Sequence, residues 1–200
     1  MSNQRRNPQQ ERGEKRLSQL LEAAASVMAD VGYEAATMTQ IADLAQASIG
    51  TLYQYFPNKE ALMNALRQQY IDEMKLRWAP FTETPEKLSI QQLVDRIFDI
   101  VLDYIEKRPA YFPLLGTPRG NQRDPSGRSW LREHFAALFR EALPEMTQEE
   151  SFRVANVTVQ VLKGMHPLCV GVSEQERDLI VGEFKLLLTT YLGERLKPQS

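Results

Sequence analysis

The chain has 200 residues, of which 42% are hydrophobic and 25% charged, with a formal net charge of −2. This balance is ordinary for a globular protein with a sizeable core, and it excludes attraction to nucleic acid by overall charge alone. The one cysteine, Cys169, excludes an internal disulfide, and no run approaches the ~18 apolar residues that span a bilayer. We therefore expect a cytoplasmic protein without membrane contact.

The amino-terminal residues 1–16 form a basic arm in front of this balanced chain. The arm carries five basic residues, Arg5, Arg6, Arg12, Lys15 and Arg16, against two acidic ones. No apolar segment follows it, so it does not have the pattern of a signal peptide. A basic arm indicates contact with a polyanion, although a solvated leader explains the same residues equally well.

Apolar residues then recur at helical spacing, and no convincing strand period occurs anywhere in the chain. The first helical pattern begins near Leu17 and is predicted to stop at Gly32. Thr37 follows as an N-cap, with Gln40 in the position that completes a capping box. The chain is therefore predicted to be all-α from its first periodic segment onward.

Two short helices come next, with a break of three or four residues between them. The first carries small residues, Ala42 and Ala45, which allow two helices to cross closely. The second runs from about Ser48 to Phe56, and Asn58 can cap the helix that follows. Such a pair is typical of a helix-turn-helix, whose second helix lies in the DNA major groove.

The remaining pattern predicts a long helix over 59–78 that stops before Pro80, because a proline interrupts helical hydrogen bonding. Residues 79–89 are rich in Pro and Thr and predict a boundary between subdomains. Further helical patterns end near Pro109 and Pro144, with a short piece around 111–115 and a loop over 116–127 between them.

The last two helical patterns are apolar on nearly every side. The first covers 148–170, and Pro167 is predicted to kink or end it; the second opens with a capping-box pattern at Ser173 to Glu176. A helix that is apolar all round needs to be buried, and one chain of this size offers few partners. We therefore predict a homodimer through about residues 150–195, joined as a four-helix bundle.

Residues 37–62, TMTQIADLAQASIGTLYQYFPNKEAL, resemble the DNA-binding motif of the TetR family of bacterial transcriptional regulators. The matching positions are Gly32, Thr37, Ile41, Ala42, Ala45, Ser48, Gly50, Thr51, Leu52, Tyr53, Tyr55, Phe56, Lys59, Glu60 and Leu62. The resemblance covers roughly residues 12–72; beyond them the chain matches the family only in helix count, order and length.

The resemblance implies an all-α fold of about nine helices. A helix-turn-helix DNA-binding domain over 12–72, with its motif at about 37–56, would be joined by the long helix to a larger ligand-binding and dimerisation domain over 80–198. The DNA-contacting residues that it implies, together with the basic arm, are Thr37, Thr39, Ser48, Ile49, Gly50, Thr51, Tyr53, Tyr55, Lys59, Arg5, Arg6, Arg12 and Arg16.

The chemistry of these side chains supports different roles within that set. Thr51 can reach a base edge or a phosphate, whereas Ile49 can make only apolar contact, such as with a thymine methyl group. Tyr53, Tyr55 and Lys59 resemble the family's phosphate contacts, which position a protein without reading sequence. Leu52 and Phe56, four residues apart, are predicted to pack inward instead.

The turn between the two short helices departs from the family pattern. The family often has glycine where this chain has Gln46, and a positive φ at a residue other than glycine costs roughly 1 kcal/mol or more. Ile49 also stands where a polar or basic residue is common in the family, which removes one charged contact.

A ligand pocket among the middle helices is implied by the same resemblance. Its candidate residues are Phe98, Leu102, Tyr111, Phe112, Trp130, His134, Phe135, Val159, Lys163 and His166. Plain core packing is the commoner role of aromatic residues at helical spacing. Lys163, His134 and His166 are the better candidates, because a polar group on an apolar face needs a partner, although a surface position is the commoner one for each.

We expect neither an enzyme, nor a cofactor, nor a metal site. No paired acid and base and no glycine-rich phosphate loop are evident, and His166 and Cys169 have no third ligand near them in sequence. The sequence and the resemblance together predict a ligand-responsive regulator, most simply a repressor, that binds a near-palindromic operator as a dimer and is released by a small-molecule effector. The alternative is an architectural or cell-division DNA-binding factor on the same fold, without an effector.

Overall fold

The structure is a computed structural model that describes residues 8–83, 88–116 and 126–197. Within these residues there are nine helices and no strand, which confirms the all-α prediction. The helices are α1 (Pro8–Ala35), α2 (Met38–Leu44), α3 (Ile49–Tyr55), α4 (Lys59–Glu83), α5 (Ile90–Lys107), α6 (Tyr111–Gly116), α7 (Ser126–Ala142), α8 (Gln148–Cys169) and α9 (Glu174–Arg195). Arg5, Arg6, most of the loop predicted over 116–127 and residue 198 lie outside the described residues.

Most of the helix starts follow from local capping chemistry that the sequence contains. Thr37 Oγ1 accepts a hydrogen bond from the Gln40 amide at 3.2 Å, and Gln40 Oε1 accepts one from the Thr37 amide at 2.9 Å, so the predicted capping box is confirmed. Asn58 Oδ1 caps α4 by accepting from the Ala61 amide at 2.8 Å. Ser173 caps α9 by accepting from the amide of Glu176, which is one of the two hydrogen bonds of the predicted capping box.

Three helix ends differ from the predictions. The helical assignment of α1 continues to Ala35 past Gly32, although Gly32 has a non-helical φ of +77° and breaks the regular helix where a stop was predicted. The prediction that α4 stops before Pro80 is wrong, because α4 continues to Glu83. Likewise α8 passes through Pro167 and ends at Cys169. A proline lacks an amide donor and its ring crowds the carbonyl four residues earlier, but the hydrogen bonds of the neighbouring residues can still continue the helix.

The chain divides into two compact units. The described part of the first contains α1, α2, α3, the part of α4 up to Tyr70, and residues 108–116, including α6. Its core residues are Leu20, Ala24, Met28, Ile41, Leu52, Leu62, Met63 and Leu66. Arg108 forms an ion pair with Glu22 of α1 at 3.2 Å, and the buried Arg67 of α4 donates to the carbonyl of Leu114 in α6. This unit therefore includes a segment that lies far away in sequence.

The second unit contains Ile71–Lys107 and the described residues from 126 to 197. Here α7 packs on α8, and α9 packs on both α8 and α5. The large buried side chains are Trp78, Phe98, Tyr104, Phe135 and Phe139. Lys185 of α9 donates to Asp95 of α5 at 2.8 Å, and this hydrogen bond lowers the pKa of the Asp95 carboxyl. The units divide inside α4, not at the Pro- and Thr-rich connector.

Candidate nucleic-acid interface

The turn between α2 and α3 has the hydrogen bonds of a Schellman motif. The Ala47 amide donates to the carbonyl of Ala42 at 2.9 Å, and the Gln46 amide donates to that of Asp43 at 3.0 Å. Gln46 has a φ of +50°, which confirms that the position usually given to glycine takes the left-handed conformation here. Ser48 then caps α3 by accepting from the Thr51 amide at 3.0 Å. These elements form a helix-turn-helix.

The short helix α3 separates its aromatic residues onto two faces. Leu52 is fully buried and Phe56 is 6% exposed, whereas Tyr53 is 50% exposed and Tyr55 is 37% exposed. The spacing of four between Leu52 and Phe56 puts both on the side that faces the core, since four residues are about one helical turn. The outer face of α3 therefore presents tyrosine rings and their hydroxyl groups to the surroundings.

The amino-terminal ends of α2 and α3 present exposed polar groups. Thr37, Thr39 and Ser48 are exposed, and the hydroxyls of Ser48 and Thr51 are hydrogen-bonded to each other at 2.8 Å. A Cβ added at Gly50 would meet only Ser48 Oγ, at 3.8 Å, so the protein leaves this side of α3 open. Ile49 is the large apolar residue on this surface. Nine predicted contacts, other than the arm residues, thus come from α2, α3, their caps and the start of α4.

Lys59, the predicted phosphate contact at the start of α4, is engaged within the protein. Its Nζ donates to the carbonyls of Tyr33, Glu34 and Ala36 at 2.8, 3.2 and 3.0 Å. The ammonium group also lies 4.6 Å from the centroid of the Tyr33 ring. An ammonium has three protons, so all of its donors close the carboxyl end of α1 in this arrangement. A phosphate contact by Lys59 would require release of one carbonyl.

Arg16 in α1 likewise faces backbone carbonyls, those of Ala45 and Gln46, in the turn that joins α2 to α3. Arg12, one helical turn earlier, is exposed. The predicted arm is therefore partly engaged with the protein itself: Arg16 contacts the helix-turn-helix, whereas Arg5 and Arg6 lie outside the described residues.

The predicted ligand-pocket residues are divided between the two compact units. Tyr111 and Phe112 belong to the first unit, where their rings lie 5.2 Å apart and Tyr111 also contacts Tyr70. The others belong to the second unit; among them Phe98, Phe135 and Val159 are buried, and Leu102, Trp130, His134, Lys163 and His166 are half-buried. The ten residues predicted to line one pocket therefore belong to two different units, two of them to the first and eight to the second.

Four aromatic rings form a cluster in the second unit, comprising Trp78, Trp130, His134 and Phe135. The His134 ring stacks on Trp130 at 5.0 Å between centroids and lies 5.1 Å from Trp78, which in turn contacts Phe135 edge-on at 5.3 Å. The buried Nε2 of His134 has no hydrogen-bond partner among the described residues. We name this group the His134 cluster. Trp78 was not among the predicted pocket residues, although Tyr70, Met74 and Trp78 follow one another at a spacing of four, which already indicated a buried face.

The stability of the protein is expected to fall as the pH is lowered through the range in which His134 titrates. Burial lowers the pKa of His134, and likewise that of His166, below the ordinary value of about 6.5. The unfolded chain therefore takes up protons first, so the stability is fully present above about pH 6.5 and is lost as the pH falls towards the folded pKa. Urea denaturation at several pH values, with tryptophan fluorescence as the signal, checks this.

His134→Phe keeps an aromatic ring and is expected to remove part of this pH dependence, while His166→Phe removes the remainder, since these are the chain's two histidines. A pH dependence between pH 7 and 5 that persists in the double variant would assign it to other groups. The carboxyl groups should contribute little to the pH dependence between pH 7 and 5, because their ordinary pKa values lie below this range.

The last two helices expose an apolar surface. Its members are Val157, Leu168, Val170, Val172, Leu179, Leu186 and Leu187. On α9, Leu179, Leu186 and Leu187 are seven and eight residues apart, a spacing that puts them on one face of a helix. We name these seven residues the apolar face of α8 and α9. Exposed apolar side chains concentrated in two successive helices and in the turn between them indicate a candidate site of protein association.

No described helix is both long and apolar enough to cross a membrane. The fold and the helix-turn-helix with its exposed polar cap residues together define a class: an all-helical DNA-binding protein of the helix-turn-helix type. Comparison with known proteins then narrows this class to one family.

The family model described as "Bacterial regulatory proteins, tetR family" matches residues 20–66, and that described as "Tetracyclin repressor-like, C-terminal domain" matches residues 89–192. The HTH-type transcriptional regulator BetI of Cronobacter sakazakii is 33% identical over 155 residues, which cover 75% of this chain and 77% of BetI. The chain therefore belongs to the TetR family and is a DNA-binding transcriptional regulator, as the resemblance implied.

Two further comparisons also find similarity to transcriptional regulators of the helix-turn-helix type. The HTH-type transcriptional activator FasR of Mycolicibacterium smegmatis is 38% identical over 90 residues, which cover 44% of this chain and 41% of FasR. The match thus spans less than half the length of that curated relative. The crystal structure of a TetR-family transcriptional regulator from Streptomyces coelicolor is 25% identical, with a TM-score of 0.67 over 90% of this chain and 98% of that one.

Proposed function

We propose that this regulator is a cytoplasmic repressor that binds a near-palindromic operator as a homodimer and is released by a small-molecule effector. The observation that carries the proposal is the exposed polar and tyrosine surface of α2 and α3, which is built on a buried core. Each α3 would enter one major groove, and the two-fold symmetry of the dimer would be mirrored by the operator.

The proposed DNA contacts fall into two kinds. Tyr53 and Tyr55 would donate to phosphates and position the protein, because hydroxyls can bond phosphate oxygens without reading the bases. The Thr37 hydroxyl, which donates to Gln40 Oε1 at 2.9 Å, would do the same only on release of that bond. Thr39, Ser48, Ile49, Gly50 and Thr51 stand on the side that would approach base edges. Thr51 can offer a hydroxyl there, while Ile49 would contact a thymine methyl group.

The proposed dimer is formed by the apolar face of α8 and α9, within residues 150–195. Exposure of these valines and leucines in one chain is unfavourable, since burial of apolar area contributes roughly 25 cal/mol per Å². A second copy that covers the same face in a two-fold arrangement would bury both sets at once. Such a dimer would hold two α3 helices at a fixed separation.

The proposed effector site lies at the His134 cluster and the half-buried Lys163 and His166 in the second unit. The unpartnered Nε2 of His134 supports this, since a buried polar atom without a partner is costly and a ligand donor would satisfy it. The helix α4 belongs to both units, so an effector that shifts its second half would be felt in the first. A coupling of about 1–3 kcal/mol is the usual scale of such regulation.

Selection of duplexes from a random-sequence DNA library by the purified protein tests DNA recognition. We expect one enriched motif with two inverted half-sites about one helical turn apart. A reporter gene with that motif at its promoter should be expressed less when the regulator is present. Enrichment of no shared motif, together with binding of many unrelated duplexes, would support the architectural alternative instead.

Tyr53→Phe and Tyr55→Phe are each expected to weaken binding to the selected duplex by about three- to tenfold, the usual worth of one lost hydrogen bond. The thermal midpoint should not change, because both rings are exposed. Fluorescence anisotropy titration and thermal denaturation measure the two quantities, and Tyr191→Phe in α9 is the matched control. Unchanged affinity in both variants would mean that these hydroxyls are only solvated.

A further inference from the structure

A side chain of α1 holds the turn between α2 and α3. Arg16 donates through Nη1 to the carbonyl of Ala45 at 3.1 Å and through Nη2 to the carbonyl of Gln46 at 3.0 Å. Nη1 also donates to the side chain of Gln19, one helical turn further along α1, at 3.1 Å. The guanidinium group is therefore oriented by its own helix and spans two consecutive carbonyls of the turn.

These two carbonyls are places where a cation is favourable. The last carbonyls of a helix have no amide partner within it, and the helix dipole concentrates partial negative charge at that end. Ala45 is the residue that caps α2, and Gln46 follows it. The planar fork of an arginine suits two adjacent acceptors better than the point charge of a lysine does.

This turn is also strained. Gln46 has a φ of +50°, and the left-handed conformation is unfavourable for a residue with a Cβ, a cost that glycine avoids. A negative φ at Gln46 would relieve this cost, and the bonds that oppose the change are the two backbone bonds of the turn and the two from Arg16. Relaxation would break the bond from the Ala47 amide to the Ala42 carbonyl, which closes the end of α2.

The conformation of this turn decides where α3 points. Gln46 stands two residues before Ser48, the cap of α3, so a change at Gln46 redirects the whole recognition helix. We propose that Arg16 is a positioning residue, which holds the strained Gln46 turn in place and so orients α3 for DNA, and that it is not a phosphate contact. This inference rests on the proposed DNA binding by α3.

The two roles of Arg16 differ in their salt dependence. A phosphate contact releases a counterion, and a dimer would lose one such contact from each copy, so the substitution would lower the slope of log affinity against log salt by about 1.8. Loss of a residue that only positions α3 weakens binding at every salt concentration and leaves the slope unchanged. Glycine at position 46 would also adopt the left-handed conformation without help from Arg16. Gln46→Gly should therefore rescue the loss of a positioning residue, whereas it could not replace a lost phosphate contact.

The experiment measures the affinity of Arg16→Ala, Gln46→Gly and the double variant for the selected duplex from 50 to 300 mM salt. We expect Arg16→Ala to bind about tenfold more weakly, in line with the loss of charge-assisted hydrogen bonds, with an unchanged slope. The double variant should recover to within about threefold of Gln46→Gly alone. Each affinity is calculated from the concentration of folded protein, which circular dichroism gives for every variant.

Arg12→Ala with and without Gln46→Gly is the matched control, and Gln46→Gly should restore nothing that Arg12→Ala loses. Amide hydrogen exchange of Ala47 gives a readout that needs no DNA: its protection should fall in Arg16→Ala and return in the double variant. If the unaltered protein selects no duplex, the proposed function fails while this readout still decides the role of Arg16. A slope lowered by about 1.8, or low affinity or low Ala47 protection in the double variant, overturns the inference.

Discussion

Replacement of Leu186 by glutamate is expected to convert the protein to a monomer and to weaken operator binding by more than about a hundredfold. Leu186 is 62% exposed in the single chain and lies on the apolar face of α8 and α9. In a two-fold dimer the substitution would bury two carboxylates, one from each copy. An unpaired buried charge costs several kcal/mol, which is enough to separate a dimer of ordinary stability.

The effect on DNA follows from the loss of the second α3. Two helices held in one dimer bind the two half-sites as a single event, because the first contact raises the effective concentration of the second. A monomer makes only half of the contacts and gains no such advantage. Operator affinity, measured by anisotropy, should therefore fall together with the mass measured by sedimentation.

Leu76→Glu is the matched control, since Leu76 is 76% exposed on α4 and lies outside this apolar face. It introduces the same charge and should change neither mass nor affinity. A Leu186→Glu protein that remains a dimer at micromolar concentration would contradict the proposed interface. A Leu76→Glu protein that dissociates would move the interface to α4.

Phe56→Ala is expected to destabilise the helix-turn-helix unit by about 3–5 kcal/mol, the usual cost of removing a phenylalanine from a core. Phe56 is 6% exposed and follows the last turn of α3, where its amide donates to the carbonyl of Leu52 at 2.9 Å. The substitution leaves a cavity beside Leu52, and the short helices α2 and α3 have little stability apart from such packing.

Hydrogen exchange of the α2 and α3 amides, followed against urea concentration, measures the stability of the first unit separately from that of the second. Tyr53→Ala and Tyr55→Ala are the matched controls and should destabilise it by less than about 1 kcal/mol, because their rings are mostly exposed. If Phe56→Ala costs no more than these controls, the ring contributes little to the core and the division of the α3 faces is wrong. If it does destabilise the unit, DNA binding should weaken for a reason that the tyrosine variants do not share.

Much of this fold could be predicted because its signals are local. The capping boxes, the left-handed Gln46 and the inward Leu52 and Phe56 depend on residues within about one turn of each other. The capping box at Thr147 and Glu150, which begins α8, was missed although the same pattern is present in the sequence. The helix end before Pro80 was misjudged because the cost of a proline was treated as decisive. Of the two outcomes predicted for Pro167, a kink or a helix end, the helix end is wrong, since α8 continues to Cys169.

The hydrogen-bond partners of the basic side chains in the candidate site were harder to predict. Arg16 and Lys59 were both assigned to the DNA backbone, on position in the first case and on family resemblance in the second. The structure gives both of them carbonyl partners: Arg16 reaches residues 29 and 30 positions away, and Lys59 reaches residues 23 to 26 positions away. The presence of a basic residue in a sequence indicates only that its side chain will bind an acceptor. The carbonyls at the end of a distant helix can be that acceptor, just as a phosphate can.

The all-helical class, the helix-turn-helix and the division of α3 into a buried and an exposed face could be read from the amino-acid sequence, because helix periodicity and capping are properties of neighbouring residues. Helix packing was needed to show that residues 108–116 join the first unit, that the rings of Trp78 and Trp130 contact His134, and that Arg16 donates to the Gln46 carbonyl. These are contacts between residues far apart in the chain, and the local pattern of a sequence carries no distance between such residues until the helices are packed.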